Sequence, residues 1–464
     1  MRDTIAAIAT ATGGGVGMVR LSGPQALAVA GRVFRPMNPA KSPETMPGYT
    51  GAFGRVCHGE QLLDEAVLFV YHAPHSYTGE DVAEFCCHGG EFVLSQVLAA
   101  VIAAGARPAE AGEYTRRALM NGRMTLTEAE SVIDILAAQN TQSLRAALGA
   151  MEGALHREVL ATADTLTDCC AHISAWIDYP EEDVEEVSPP VLLARLNRVE
   201  ATLFRLEHSW QQGQMVRQGI ATAIIGSANV GKSTLMNLLS GRERSIVTDI
   251  PGTTRDTVEE SVLCGGVLLR LIDTAGIRAT EDPVEQLGVE RSRRAIASAE
   301  LVLAVVDGAV PEDSEEGSLL ADVARCGVPW LLVFTKRDMA GGLRTAGAVF
   351  PAGEGPLAPP AAVVSLSSVT GEGLEDLGNA VAALFPAGDP GEAGSLLTDR
   401  RQEDAARRAL DAVRRALEAL ETGMTPDAVL TDAEEALDAL GELTGRTAKE
   451  EIVSRIFSRF CVGK

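Results

Sequence analysis

The chain has 464 residues, a length typical of two to four domains, and its 46% hydrophobic and 22% charged residues exclude wholesale disorder. Its formal net charge of −24 has the wrong sign for a protein that binds a polyanion unaided, so contact with nucleic acid needs a local patch or a basic partner. No stretch reaches the ~18 apolar residues of a membrane span, and we expect a cytoplasmic protein with no membrane contact.

The first part of the chain, residues 1–120, predicts an α/β domain. Ala66–Tyr71 is a β-type run, and Glu91–Ala104 is an apolar helical stretch. From residue 121 to 216 the spacing becomes helical, as in Leu192, Leu196 and Leu203. This second segment is predicted to be the first part of a helical domain.

Residues 217–385 alternate β-branched runs with helical segments, which predicts a doubly wound, mostly parallel sheet. The predicted strands are Ala221–Ile225, Val267–Ile272, Leu301–Val306, Trp330–Phe334 and Ala362–Leu366. The Gly265-Gly266 step predicts a hairpin that adds one antiparallel edge strand.

Residues 386–464 begin with a Pro- and Gly-rich linker and then turn helical. Thr425-Pro426 predicts a helix start, and Thr447 with Glu450 predicts a capping box. Neither helical segment, residues 121–216 or residues 386–464, has enough apolar residues to form a substantial hydrophobic core by itself. We therefore expect the α/β unit to be inserted into one helical domain.

A phosphate-binding loop is predicted at Gly226–Ser233, which reads G-x-x-x-x-G-K-S directly after a strand and before a helix. Its backbone N–H groups can surround phosphates, Lys232 supplies a positive charge, and the Ser233 hydroxyl can ligate Mg²⁺. Three further motifs follow later strands: Asp273–Gly276, Thr335–Asp338 and Ser367–Val369. The ordered set predicts a Ras-like GTPase domain.

Asp338 can accept both N–H donors on the guanine edge, which selects GTP over ATP. Thr335 stands where Asn is usual, which predicts a weaker contact with the ring. The predicted GTP-binding residues are Asn229, Val230, Gly231, Lys232, Ser233, Thr234, Thr248, Asp249, Ile250, Pro251, Gly252, Thr253, Thr254, Asp273, Thr274, Ala275, Gly276, Thr335, Lys336, Arg337, Asp338, Ser367, Ser368 and Val369.

A switch loop is predicted between the phosphate loop and Asp273. It brings Thr254 to the Mg²⁺ held by Ser233. The water-orienting Gln of Ras-like enzymes is replaced by Ile277, so hydrolysis needs another group. The candidates are Glu281, Asp282 and Glu285.

Four features together resemble the MnmE (TrmE) family of bacterial tRNA modification GTPases. They are Phe460–Lys464 with its C-x-G-K ending, Asp249–Asp256, the opening Asp3–Thr10 and the inserted GTPase domain. The resemblance implies an N-terminal domain that binds folate and forms a homodimer, a helical domain, and GTPase domains that pair when K⁺ binds.

The resemblance also implies site residues. The K⁺ ligands would be Asn229, Thr248, Ile250 and Thr253. Glu285 would orient the attacking water, and Lys232 and Thr254 would be further catalytic groups. Methylene- or formyl-tetrahydrofolate would bind Arg20, Glu84, Arg123 and Lys464. Arg123 stands where the family often has Lys. Cys461 is either a reactive thiol near the folate or a packed side chain at a helix end.

The function implied is the GTP-driven addition of an aminomethyl or carboxymethylaminomethyl group to C5 of the wobble uridine (U34) of tRNA. The FAD-dependent partner MnmG would join in a heterotetramer or larger complex that binds the tRNA, and FAD would lie only on that partner. Two alternatives stay open at this point. One is a GTP-dependent assembly switch without substrate chemistry, and the other is a folate enzyme of the aminomethyltransferase type that GTP only regulates.

Overall fold

The computed structural model describes residues 3–178, 189–242, 260–272, 293–309, 314–339, 358–386, 393–447, 453, 456–458 and 460–463. Two compact units form. The first contains residues 1–133, 159–171 and 433–464, and the second contains residues 134–158 and 172–432. The division into four segments ending at 120, 216, 385 and 464 stays a prediction. None of the described helices is long and apolar enough to span a membrane.

The first unit is built on a seven-stranded sheet in the order β3-β4-β5-β6-β2-β1-β7. Its strands are β1 (Ile5–Ile8), β2 (Val16–Ser22), β3 (Phe34–Pro36), β4 (Thr50–His58), β5 (Gln61–Tyr71), β6 (Val82–His88) and β7 (Arg107–Pro108). All neighbours are antiparallel except β1 and β7. The β2–β6 register places Arg20 directly opposite Glu84, so the two side chains share one face of the sheet.

Helices α1 (Ala26–Val33) and α2 (Glu91–Ala103) supply apolar side chains to the core of this sheet. Leu21, Phe85 and Leu94 are fully buried in one cluster with Val29 of α1. Helices α3 (Glu113–Met120) and α4 (Leu126–Ala137) follow. The alternation of buried and partly exposed residues along β2 and β6 is typical of a sheet covered on one face.

The second unit contains a six-stranded sheet in the order β13-β12-β11-β8-β10-β9. Its strands are β8 (Ile220–Ile225), β9 (Glu260–Cys264), β10 (Val267–Leu271), β11 (Leu301–Asp307), β12 (Trp330–Thr335) and β13 (Ala362–Ser365). Among the described strands of this sheet, only β9 and β10 pair in antiparallel fashion. The predicted doubly wound sheet and its hairpin edge strand are confirmed.

The remaining helices are α5 (Thr141–Met151), α6 (Ala154–Asp178), α7 (Pro189–Gln218), α8 (Lys232–Arg242), α9 (Ser314–Arg325), α10 (Leu374–Leu384), α11 (Arg400–Glu421) and α12 (Pro426–Thr444). Helix α7 leads into β8, and α11 follows the last helix of the sheet domain. α7 and α11 pack extensively on each other. The sheet domain is therefore inserted between two helices that lie side by side, as the sequence predicts.

Candidate functional site

The phosphate loop connects β8 to α8 and is held close to β11. A Cβ on Gly226 would lie 2.2 Å from the carbonyl oxygen of Val305, so only glycine fits there. Asn229 and Gly231 have φ of 63° and 99°, in the left-handed region. Such a turn directs successive N–H groups into one concavity in front of a helix N-terminus, which is the geometry that binds phosphate.

Lys232 is already oriented across this loop. Its Nζ donates hydrogen bonds to the carbonyls of Gly226 at 2.7 Å and Ser227 at 2.6 Å. An ammonium group has three N–H donors, so one is left for a phosphate oxygen. Burial lowers the pKa of Lys232, and a polyphosphate at the loop would raise it again. The side chain of Ser233 is exposed on the first turn of α8, where a metal ion can reach it.

The two base-recognition motifs lie next to each other. The Arg337 N–H donates to the Leu366 carbonyl at 3.3 Å, and the Ser367 hydroxyl accepts N–H groups from Val369 and Thr370. Asp338 is exposed in a 3-10 turn between them. The predicted motifs Thr335–Asp338 and Ser367–Val369 thus form one end of the site.

Asp307 belongs to this end of the site, and the sequence reasoning missed it. Its Oδ2 accepts a hydrogen bond from Lys336 Nζ at 2.6 Å, and its Oδ1 accepts one from the N–H of Ala309 at 2.9 Å. Lys336 itself has a left-handed backbone conformation, with φ of 57°. The sequence feature that could have identified Asp307 is its position as an acidic residue at the carboxyl end of the central strand β11.

Part of the predicted site lies outside the described residues. This holds for Thr248, Asp249, Ile250, Pro251, Gly252, Thr253, Thr254, Asp273, Thr274, Ala275, Gly276, Glu285 and Lys464. Their predicted roles stay predictions.

A second candidate site surrounds Arg20 in the first unit. Its Nε donates to Glu84 Oε1 at 2.7 Å, and both side chains are largely buried. The guanidinium lies 5.9 Å from the centre of the Tyr77 ring and 5.6 Å from that of Tyr114. Tyr71 donates to the other Glu84 oxygen at 3.3 Å. The result is a charged, hydrogen-bonding pair beside aromatic rings, and sequence reasoning found the pair but not the tyrosines.

The last residues of the chain reach this same site. The Arg20 Nη1 donates to the Gly463 carbonyl at 3.3 Å, and Val462 forms a β-bridge with Ala111. Gly463 has φ of 102°, and a Cβ there would lie 2.4 Å from the Ile8 carbonyl oxygen. The structure therefore brings Gly463 to Arg20, while the predicted role of its neighbour Lys464, outside the described residues, stays a prediction.

The structure also describes two other residues predicted near the folate, Arg123 and Cys461. The Arg123 Nε donates to the Ser76 carbonyl at 3.1 Å, and within the described part of the chain Arg123 forms no ion pair or hydrogen bond with Glu84. Cys461 is a free, exposed thiol, so it is not the packed side chain that one reading of the sequence favoured.

Comparison with known proteins identifies two family models that match the chain. A family model described as the MnmE helical domain matches residues 126–461, and one described as the GTP-binding protein TrmE N-terminus matches residues 4–123. Among solved structures, the G domain of the T. maritima FeoB iron transporter matches 35% of this chain and 96% of its own, with 26% identity and a TM-score of 0.25.

Full-length relatives are closer in sequence. The tRNA modification GTPase MnmE of Chloroflexus aurantiacus is 41% identical over 100% of both chains. That of Symbiobacterium thermophilum is 42% identical over 100% of this chain and 99% of its own. The phosphate loop, the guanine motif and the match along the whole length lead to one conclusion: the chain is a GTP-hydrolysing enzyme and belongs to the MnmE (TrmE) family of tRNA modification GTPases.

Proposed function

We propose that this GTPase acts on the wobble uridine of tRNA, where it helps to add an aminomethyl or carboxymethylaminomethyl group to C5. The observation that carries the proposal is the Arg20–Glu84 pair with Gly463 beside it. A GTP-dependent switch has no use for such a second site. The chain would work as a cytoplasmic homodimer with an MnmG-type FAD protein in a heterotetramer or larger complex.

A tetrahydrofolate derivative fits the chemistry around Arg20. A pterin ring has an edge of donors and acceptors and an apolar face, which suit a guanidinium–carboxylate pair and neighbouring aromatic rings. Arg20, Glu84, Arg123 and Lys464 would bind the folate, which supplies a one-carbon unit when bound. Tyr77 and Tyr114 would hold the guanidinium in place.

In the GTPase domain, Ser233 and Thr254 would ligate Mg²⁺, and Asn229, Thr248, Ile250 and Thr253 would ligate K⁺. The exposed side chain of Asn229, on the phosphate loop three residues before Lys232, supports the K⁺ assignment. Glu285 would orient the attacking water. Cations near the phosphates stabilise negative charge that develops during hydrolysis.

The tRNA is expected to bind mainly through the partner, because this chain has a net charge of −24. Salt-dependent tRNA binding by each protein alone tests this division. Tight binding by the isolated chain that weakens steeply with salt would contradict it.

The experiment that tests the function is mass spectrometry of tRNA nucleosides from cells with and without the gene. We expect deletion to remove a C5-aminomethyl-type uridine, and the wild-type gene but not Glu285→Ala to restore it. An unchanged nucleoside profile would overturn the proposal in favour of an assembly switch. Folate turnover without partner or GTP would favour a folate enzyme that GTP regulates.

A further inference from the structure

Tyr49 has an unusual backbone conformation for a tyrosine. Among the described residues other than glycine, three have φ in the left-handed region: Tyr49 at 61°, Asn229 at 63° and Lys336 at 57°. This conformation costs free energy for any residue with a Cβ, and it is rarest for bulky side chains. Asn229 and Lys336 both lie in the nucleotide site. Because strain of this kind is concentrated at functional sites, the conformation of Tyr49 points to a function as well.

The strand that follows fixes the backbone at Tyr49. The Tyr49 N–H donates to the Val70 carbonyl at 2.9 Å. Thr50, the first residue of β4, pairs with Val70 in the β4–β5 register. A glycine would adopt the same φ without strain. We infer that the side chain, rather than the turn, accounts for a tyrosine at this position.

The Tyr49 ring lies beside the Arg20–Glu84 pair, and it is 67% exposed. It packs edge-to-face against Tyr71, with ring centres 5.4 Å apart and an angle of 87° between the planes. Tyr71 in turn donates to Glu84 Oε2 at 3.3 Å. Burial and the charge of Glu84 raise the pKa of Tyr71, so its hydroxyl stays a donor at neutral pH. One side chain, Tyr71, therefore separates the exposed ring from Glu84.

The sheet register sets the direction from Glu84 to Tyr49. Tyr71 is the last residue of β5, and Tyr49 comes just before β4, so both lie at the end of the sheet where β5 leads into β6. The connection between these strands contains Ser76, whose carbonyl accepts the hydrogen bond from Arg123. Seen from Glu84, Tyr49 and Arg123 therefore lie in the same direction along the strands.

A folate has three parts that match this order. Its pterin has an edge of donors and acceptors, its p-aminobenzoyl group is an apolar aromatic ring, and its glutamate tail carries carboxylates. The Arg20–Glu84 pair suits the pterin edge, and the Arg123 guanidinium suits a carboxylate. The exposed ring of Tyr49 suits the aromatic ring between them, because paired rings attract each other beyond the effect of the area they bury.

We propose that Tyr49 is a ligand-contact residue of this site and packs its ring against the p-aminobenzoyl ring of the folate. The inference rests on the folate binding of the proposed function, to which it adds one residue and the part of the ligand that this residue contacts. It also gives the strain at Tyr49 a use. The left-handed backbone holds the ring in place before the ligand arrives, which lowers the entropic cost of binding.

The test compares two ligands by equilibrium dialysis with the full-length chain. Formyl-tetrahydrofolate contains the second ring, and 6-methyltetrahydropterin does not. Tyr49→Asn removes the aromatic ring and introduces a residue that tolerates the left-handed conformation. We expect it to bind formyl-tetrahydrofolate about tenfold more weakly than wild type, a usual effect of losing one aromatic stacking partner, and the pterin within about twofold. Tyr49→Phe keeps the ring and should match wild type for both ligands.

Phe92→Asn is the matched control. Phe92 is a 75% exposed ring of the same unit, near the beginning of α2. That helix packs on the side of Phe85, which is the face of β6 opposite to Glu84. The variant should bind both ligands like wild type. Sedimentation velocity of Tyr49→Asn should show the oligomeric state of the wild type, which distinguishes a ligand contact from a subunit contact.

Three results would overturn the proposal. An unchanged affinity of Tyr49→Asn for formyl-tetrahydrofolate would show that the ligand does not use the ring. Equal losses for both ligands would show that the variant disturbs the pterin site instead. A changed oligomeric state would make Tyr49 a subunit contact. Each of these results leaves the pterin at Arg20 and Glu84, whereas a wild type that binds neither ligand would overturn the folate site and this contact together.

Discussion

Arg217 and Thr398 join the two ends of the inserted GTPase domain: Nη1 of Arg217, in the last turn of α7, donates to the Thr398 carbonyl just before α11, at 2.7 Å. The same guanidinium forms an ion pair with Asp134 at 3.0 Å. The Thr398 hydroxyl donates to the other Asp134 oxygen at 2.9 Å. The segments that enter and leave the GTPase domain therefore meet a residue of α4 in one polar cluster. It consists of Arg217, Thr398 and Asp134 and is called the Arg217 cluster.

The first prediction is that the Arg217 cluster transmits movement of the GTPase domain to the helices. In Arg217→Ala, we expect GTP hydrolysis by the isolated chain to stay within about twofold of wild type, while U34 modification in cells falls about tenfold or more, a typical coupling energy. Arg414→Ala is the control, because Arg414 joins α11 to α7 through an exposed pair with Glu200. Equal losses of modification in both variants would contradict the role of the cluster.

The second prediction concerns acid stability. Glu113 is buried between Arg107 and Arg117, whose Nη2 atoms lie 2.6 Å and 2.8 Å from its Oε1. Burial raises the pKa of Glu113, but the hydrogen bonds from Arg107, from the backbone N–H of Glu110 and from Arg117 outweigh it and lower the pKa to about 2. Because the folded pKa lies below the unfolded value, the carboxylate stabilises the fold at neutral pH. This stabilisation is lost as the pH falls from 4.5 towards 2.

Glu113→Gln should therefore destabilise the chain at pH 7 by about 3 kcal/mol, because two arginines lose a buried partner. In this variant the free energy of unfolding should also decrease less steeply as the pH falls than it does in wild type. Urea unfolding between pH 7 and pH 3 measures both effects. Glu110→Gln is the control, since its exposed pair with Arg116 contributes at most about 1 kcal/mol. A Glu113→Gln variant as acid-sensitive as wild type would show that the titrating group lies elsewhere.

The third prediction uses the tight packing of Gly463. Gly463→Ala adds a Cβ 2.4 Å from the Ile8 carbonyl oxygen at a φ of 102°, so the terminal segment should detach from the sheet. Hydrogen exchange at the Gly112 N–H, which donates to the Cys461 carbonyl, should become about tenfold faster or more. Gly13→Ala is a matched control with φ of 91° and open space around its Cβ. Unchanged exchange in Gly463→Ala would contradict the docking.

The fourth prediction concerns folate. Arg20→Gln should weaken binding of formyl-tetrahydrofolate by about tenfold or more, because it removes the charge that pairs with Glu84 at the proposed folate site. Equilibrium dialysis measures this directly. Arg55→Gln removes an exposed arginine of the same sheet, paired with Glu65, and should bind normally. Equal affinity in the wild type and Arg20→Gln would remove Arg20 from the folate site.

Local patterns predicted the local structure well. The hairpin at Gly265-Gly266 and the helix that begins at Pro426 are both observed, because turn and cap residues act within a few positions. The strand β5 begins at Gln61, five residues before the predicted run. Its first half, Gln61–Glu65, has two adjacent leucines among three polar residues and no regular alternation. This half is stabilised by pairing with β4, which a local pattern does not show.

The site was predictable where a motif is contiguous and not where the fold assembles it. Gly226–Ser233 carries its own signature. Asp307 acts on Lys336 across neighbouring strands, and Tyr114 reaches Arg20 from α3. The bond between Arg20 and Gly463 spans 443 positions. Arg20 and Lys464, the neighbour of Gly463, were assigned to one site only because the family resemblance implies it, since no spacing rule connects them.

The β-bridge between Ala111 and Val462 also has a consequence for synthesis of the protein. Phe457 and Phe460 pack against Ala129 and Val132 in the core of the first unit. Ala129 and Val132 leave the ribosome before Phe457 and Phe460, so this part of the core is completed only after the later segment has been made. Until Phe457 and Phe460 are made, the apolar surface of Ala129 and Val132 that they cover is exposed to solvent. A truncated chain would keep this surface exposed, and quality-control factors can recognise such aggregation-prone surfaces.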